Sequence, residues 1–71
     1  MPEYDTLAKN IRKIRKGMQL SQMDFAFKCG ISTDIISQIE CSRANPRLST
    51  LQKIAAYTGY RVADLLIDNE S

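Results

Sequence analysis

Residues 20–40, LSQMDFAFKCGISTDIISQIE, decide the fold. Ser21 stands three places before Asp24, the spacing at which a serine hydroxyl accepts a first-turn N–H while the carboxylate sits at the positive end of the helix. A helix is expected over about residues 22–28. Gly30 can take the left-handed conformation that closes it, and Ser32 can cap a new helix directly afterwards. In that second helix, about residues 33–40, Ile36 and Ile39 face inward and Ile35 lies at the margin. Thr33, Asp34, Ser37 and Gln38 form a polar outward stripe. Two short helices joined by so tight a turn occur in nucleic-acid readers and also in many helical domains without that role.

Upstream, Leu7, Ile11, Ile14 and Met18 recur at the spacing of one helical stripe, which predicts an amphipathic helix over residues 6–17 ending at Gly17. Downstream, Asn45-Pro46 breaks the helical pattern. Ser49 with Gln52 reads as a capping box for a fourth helix whose inner face is Leu51, Ile54, Ala55 and Thr58 and which Gly59 stops. A short last helix over residues 62–66 presents Val62, Leu65 and Leu66. The expectation is an all-α, compact five-helix bundle forming a single domain over residues 1–71, its core spanning about residues 6–67.

With 71 residues and 44% apolar content, the chain has room for one small core but not for a large enclosed active site. A core of that size supplies roughly 3 to 5 kcal/mol, so a partner subunit would help. The net charge is only +2, yet Lys9, Arg12, Lys13, Arg15 and Lys16 are packed together without an acid. Such a run is either a solvated face or a nucleic-acid surface. There is no histidine, and Cys29 and Cys41 lack disulfide-framework or zinc spacing, so no metal and no cofactor is expected and both thiols read as buried small hydrophobes. Nothing approaches the roughly 18 apolar residues of a membrane span, and the first residues lack the order of a signal peptide, which implies a cytoplasmic protein. No base stands ready to activate a serine or cysteine and no glycine loop could cradle a phosphate, so enzyme activity is not expected.

The run Asn10-Ile11-Arg12-Lys13-Ile14-Arg15, then Leu20-Ser21-Gln22, Phe25-Ala26, Gly30-Ile31-Ser32, Ile36-Ser37-Gln38-Ile39-Glu40, Pro46-Arg47-Leu48-Ser49-Thr50-Leu51 and Lys53-Ile54-Ala55, strongly resembles the Cro/CI-type helix-turn-helix (XRE) family. The resemblance extends from about residue 6 to Leu66 and keeps the spacing of all five helices. It implies a phage-repressor-like DNA-binding domain in which the second helix crosses the DNA backbone and the third enters the major groove. Carried over by position, Gln22 would hold a phosphate at the start of the second helix. Thr33, Asp34, Ser37 and Gln38 would meet base edges, Gln38 by pairing with adenine. Arg43 and Asn45, with backbone amides of their loop, and Arg47 would clamp phosphates on the other side. Arg15 and Glu40 would form a partly buried ion pair between the first helix and the end of the third; the alternative is two solvated charges.

The sequence departs from the family pattern in places. Asp34 sets a negative charge toward a polyanion, where it either accepts a hydrogen bond from cytosine or caps its own helix. Cys41-Ser42 replaces a polar residue and a glycine, so the turn there must close without glycine's freedom. Arg61 stands where a small hydroxyl residue caps the last helix, which implies a frayed or shortened helix. Met23 and Phe27, usually polar positions, form an apolar patch that is either ordinary surface or a site for a protein partner.

The reading is a sequence-specific duplex-DNA binder regulating transcription, a repressor acting as a homodimer on a palindromic operator with half-sites roughly 34 Å apart. Tyr57, Tyr60, Val62 and Leu66 are dimer candidates, with core packing the preferred role for Val62 and Leu66. With no sensor segment after Ser71, control is expected through concentration, proteolysis or a partner. The alternative function is a protein-interaction module such as an antitoxin, sequestering another protein through Met23 and Phe27.

Overall fold

Proline at the second position opens the structure. Its fixed φ and missing N–H suit the first turn of a helix, where that N–H has no partner in any case. In the computed structural model, which describes residues 2–68, α1 therefore runs Pro2–Gly17, beginning ahead of its apolar stripe, and Asp5 adds a carboxylate near its positive end. It is followed by α2 (Gln22–Cys29), α3 (Thr33–Glu40), α4 (Leu48–Thr58) and α5 (Val62–Leu66). The described residues contain no strand, and the five-helix architecture expected from the sequence holds; residues 1 and 69–71 of the expected domain lie outside the described residues.

One apolar cluster gathers the inward positions of every helix. Leu7 and Ile11 of α1 meet Phe25 and Cys29 of α2, Ile36 and Ile39 of α3, Leu51 and Ile54 of α4, and Leu65 of α5. Helix α1 packs on α3 and α5, while α2 packs on α3 and α4, so the pair α2–α3 is braced from two sides. Tyr57 adds an edge-to-face contact with Phe25, ring centroids 6.2 Å apart at 73°.

Helices α1, α2 and α3 end in the same double closure, in which a left-handed residue and its successor return their N–H groups to the last turn. After α1 these are Gln19 to Lys16 O and Leu20 to Arg15 O; after α2, Gly30 to Phe27 O and Ile31 to Ala26 O; after α3, Ser42 to Ile39 O and Arg43 to Gln38 O. Glycine fills the left-handed position only at Gly30, with φ 76°, whereas Gln19 and Ser42 hold φ of 59° and 61° with a Cβ in place. Helix α1 ends at Gly17, as expected, and the left-handed residue that closes it is Gln19. The Ser42→Gly variant is expected to be more stable by about 0.5 to 1 kcal/mol, because the left-handed strain of a Cβ is removed. That would raise Tm by roughly 2 to 8 °C in a calorimetric scan.

Several local readings change. Met18 lies beyond α1 and is exposed rather than part of its buried stripe. Helix α4 starts at Leu48 with Arg47 at its N-cap, not with Ser49. Pro46 restrains only the residue before it, so helical bonding begins at once, with Thr50 and Leu51 both donating to Arg47 O. Water can then satisfy the exposed first turn without a side-chain cap. Helix α5 keeps the expected residues 62–66. The Arg61 N–H donates to Asp64 Oδ2 at 3.1 Å, the return arm of a capping box whose other arm arginine, having no acceptor, cannot supply. Its far end is held by Asn10, a buried residue whose Nδ2 donates to Leu65 O at 2.9 Å and Ile67 O at 2.8 Å. Leu66 is 41% exposed, since a helix this short aims only Leu65 squarely at the core.

The two cysteines also differ: Cys29 is buried and Cys41 is exposed at the end of α3. Burial pushes the Cys29 thiol up from 9.0 to about 11, because a thiolate there would be stripped of water. Folding therefore favours the protonated thiol; its contribution to stability is complete below pH 9 and fades as pH rises from 9.0 toward about 11. Iodoacetamide at pH 8 is expected to label Cys41 in the native protein and Cys29 only after denaturant is added, as mass spectrometry of the peptides would show.

Candidate nucleic-acid interface

Two serines set the directions of α2 and α3. Ser21 and Ser32 are extended at their caps, and their hydroxyls accept from the N–H groups of Asp24 at 3.0 Å and Ile35 at 3.3 Å. With Ile36 and Ile39 anchored in the core, the opposite side of α3 is turned outward. Thr33, Asp34 and Gln38 are exposed and Ser37 is half-buried. The cap of α3 belongs to Ser32, and the Asp34 side chain makes no hydrogen bond or ion pair among the described residues.

The chain after α3 folds back beside this surface. Ile35 and Gln38 share a groove with Arg43, Asn45, Pro46, Arg47, Ser49 and Thr50. Three of the residues expected to grip phosphates are thus brought next to one expected to read a base, while Thr33, Asp34, Ser37 and Gln22 lie outside the groove. Arg43, Asn45 and Arg47 are exposed. The Arg43 N–H is already committed to Gln38 O, so only its guanidinium is available to a ligand. Arg47, at the start of α4, adds its charge where the helix dipole is positive and no side chain caps the end. Ile35, placed by the sequence at the margin, gives the groove an apolar contact that could meet a thymine methyl, and Ser49 and Thr50 add hydroxyls.

Behind the surface lies a charged joint. Arg15 Nε donates to Glu40 Oε2 at 2.7 Å and its Nη2 to Oε1 at 3.0 Å, with side-chain exposures of 13% and 4%. The third guanidinium arm, Nη1, donates to Leu20 O at 2.8 Å, just ahead of the Ser21 cap. The hydrogen bond to Glu40 raises the Arg15 pKa above its ordinary value; burial opposes this and the carboxylate's attraction adds to it. Arginine is protonated at any working pH, so the consequence is positional rather than titrational.

Gln22 also belongs to this joint. Its Nε2 donates to Glu40 Oε1 at 3.2 Å, so one amide hydrogen of the expected phosphate contact is turned inward, leaving the other and the carbonyl oxygen. Arg12, which the sequence left as one charge of a basic run, donates from Nη2 to Glu40 O at 2.6 Å. It supplies the cation that the last turn of α3 lacks among its own residues. No signal in the sequence pointed to that carbonyl.

Among the described residues no group of three or more His, Cys, Asp or Glu could hold a metal ion, and no helix is long and apolar enough to cross a membrane. A helix-turn-helix family model matches residues 11–65, which include α2, the turn, α3 and the flanking helices that brace them. The chain belongs to the Cro/CI-type (XRE) helix-turn-helix family. This is a family of DNA-binding transcription regulators and not of enzymes.

Among its helix-turn-helix relatives is the immunity repressor protein of Bacillus phage phi105, 36% identical over 61 residues that make up 86% of this chain and 42% of that protein. The HTH-type transcriptional regulator DdrOP3 of Deinococcus deserti is 38% identical over 60 residues, 84% of this chain and 46% of its own. The helix-turn-helix chain therefore spans about half the length of these curated relatives. In crystal, the hypothetical transcription factor NHTF from Neisseria superimposes with a TM-score of 0.87 at 33% identity, over 94% of this chain and 77% of that one.

Proposed function

We propose that this chain binds duplex DNA in a sequence-specific manner, as a homodimer on a palindromic operator, and represses transcription in the cytoplasm. The observation that carries the reading is the groove that Gln38 of α3 lines together with Arg43, Asn45 and Arg47. A base reader and a set of phosphate contacts must occupy one continuous surface if an α-helix is to be registered in the major groove.

In this reading Gln38 pairs with adenine; Thr33, Asp34 and Ser37 meet neighbouring base edges, Asp34 accepting from a cytosine amino group. Gln22 touches the backbone where α2 begins, while Arg43, Asn45 and Arg47 hold the phosphates on the far side. Arg15 and Glu40 keep α1, α2 and α3 in register. The name of the phage relative, an immunity repressor protein, supports repression over activation.

One module makes few contacts, and two, related by a two-fold axis, double both kinds. The exposed apolar side chains Tyr60, Leu66 and Ile67 beside and within α5 favour that region as the dimer face. Val62 and Tyr57 are half-buried against the core and are weaker candidates. A second reading, a module that sequesters another protein, draws on Met23 and Phe27, both well exposed on α2.

The test is selection from a random duplex pool at about 0.15 M salt, then a salt titration on the enriched site. A palindromic motif, bound by two copies with a steep salt dependence, is the expected result. Weak binding without a motif would overturn the DNA reading and favour the protein-sequestering one.

A further inference from the structure

The outer face of α2 is composed of four residues. Phe25, Ala26 and Cys29 point into the core, which leaves Met23, Asp24, Phe27 and Lys28 outward, all exposed. Phe27 is 82% and Met23 68% exposed, more than any other large apolar side chain among the described residues. Positions 23 and 27 are one turn apart on one side of this face, and positions 24 and 28 one turn apart on the other. Asp24 and Lys28 have the spacing of a helical ion pair but form none, with each other or with any described residue.

We infer that this face docks against the same face of a second copy of the chain, with the two α2 helices antiparallel about a two-fold axis. That operation reverses the helix direction and keeps the two sides of the face in place. Met23 then meets Phe27 of the second copy, and Phe27 its Met23, while Asp24 meets Lys28 and Lys28 meets Asp24. Apolar side falls on apolar side, and each charge falls on its opposite. A parallel two-fold pairing would exchange the two sides and set the charged side of one copy, Asp24 and Lys28, against the apolar side of the other. The pattern is therefore self-complementary in one orientation only, which is the argument for a second copy over an unrelated partner.

Four side chains per copy fall well short of the roughly 800 Å² per partner of a standard interface, so the contact is weak. It acts where copies are already close, such as neighbouring molecules on one DNA, where effective concentrations reach about the millimolar range. It uses a face separate from the α5 region, so both contacts can exist in one assembly, and it stands or falls independently of DNA recognition.

Sedimentation equilibrium of the full chain without DNA, from about 10 μM to 1 mM in low salt, tests it, since weak charge pairs are strongest there. The variants are Asp24→Lys, Lys28→Asp, the double reversal, and Phe27→Ala. Expected is a weak association step, beyond any tighter dimer, that drops about tenfold in each single reversal and in Phe27→Ala and returns in the double reversal. The double reversal opposes the α2 dipole at both ends, so recovered association cannot come from a steadier helix. The contact is overturned if the wild type shows no such step, if all variants share its curve, or if the double reversal is as weak as the singles. Circular dichroism confirms that each variant is folded.

Discussion

The Glu40→Ala variant is expected to lose about 3 to 5 kcal/mol, the cost of leaving one member of a buried pair without its partner. A domain with so small a core holds roughly that much in total, so the variant should be largely unfolded at 37 °C. The magnitude follows from what the carboxylate touches. It takes two hydrogen bonds from Arg15 and one from Gln22, at an exposure of 4%, so its removal strands the charge of an arginine whose side chain is only 13% exposed. Urea unfolding followed by circular dichroism gives the number. The paired replacement Arg15→Met with Glu40→Leu should recover most of the loss, because two apolar side chains leave no buried charge unmatched. If Glu40→Ala cost 1 kcal/mol or less, the pair would be an ordinary surface ion pair despite its geometry.

That joint also marks where sequence reasoning reaches and where it stops. Ser21, Gly30 and Ser32 were legible because caps and left-handed closures are local, decided by residues two or three places apart. Ile36 and Ile39 were legible because helical period alone separates the inner face from the outer. Arg12 and Asn10 were not. Their acceptors are backbone carbonyls 28 and 55 residues away, and every residue has a carbonyl, so no side-chain pattern distinguishes these. The pairing of Arg15 with Glu40 entered through the family resemblance, with two solvated charges as the alternative.

The misplaced details have similar causes. Ser49 carries the right chemistry for a cap, yet Pro46 allows the helix to begin sooner, so backbone geometry outweighed residue type. Cys41 and Leu66 were assigned inward by their apolar character, but each sits at the end of a short helix where the inward arc has already been filled, by Ile39 and by Leu65. The grouping of Gln38 with Arg43, Asn45 and Arg47 depends on how the loop of residues 41–47 folds back. Family spacing gave the members of that group, and the loop's own left-handed closure at Ser42 set their direction.

The largest effect on binding is expected from Gln38→Ala. A glutamine that pairs with adenine through one donor and one acceptor contributes about 1 to 3 kcal/mol of discrimination. A dimer on a palindrome uses two, so loss of both should weaken the selected site by roughly thirtyfold to twenty-thousandfold. The side chain is exposed and makes no core contact, so the fold should be unaffected and unfolding curves should superimpose. Binding to unrelated duplex should scarcely change, because no phosphate contact is removed. Arg43→Ala should do the opposite: affinity falls on every sequence alike, and the slope of log K against log salt becomes shallower by about two for the dimer, one phosphate contact per copy. Fluorescence anisotropy on selected and scrambled duplexes across a salt series separates the two behaviours. Equal losses on both duplexes in Gln38→Ala would make Gln38 a backbone contact and move base reading to Thr33, Asp34 and Ser37. A full loss of discrimination with an unchanged salt slope would fix α3 in the major groove with Gln38 facing a base.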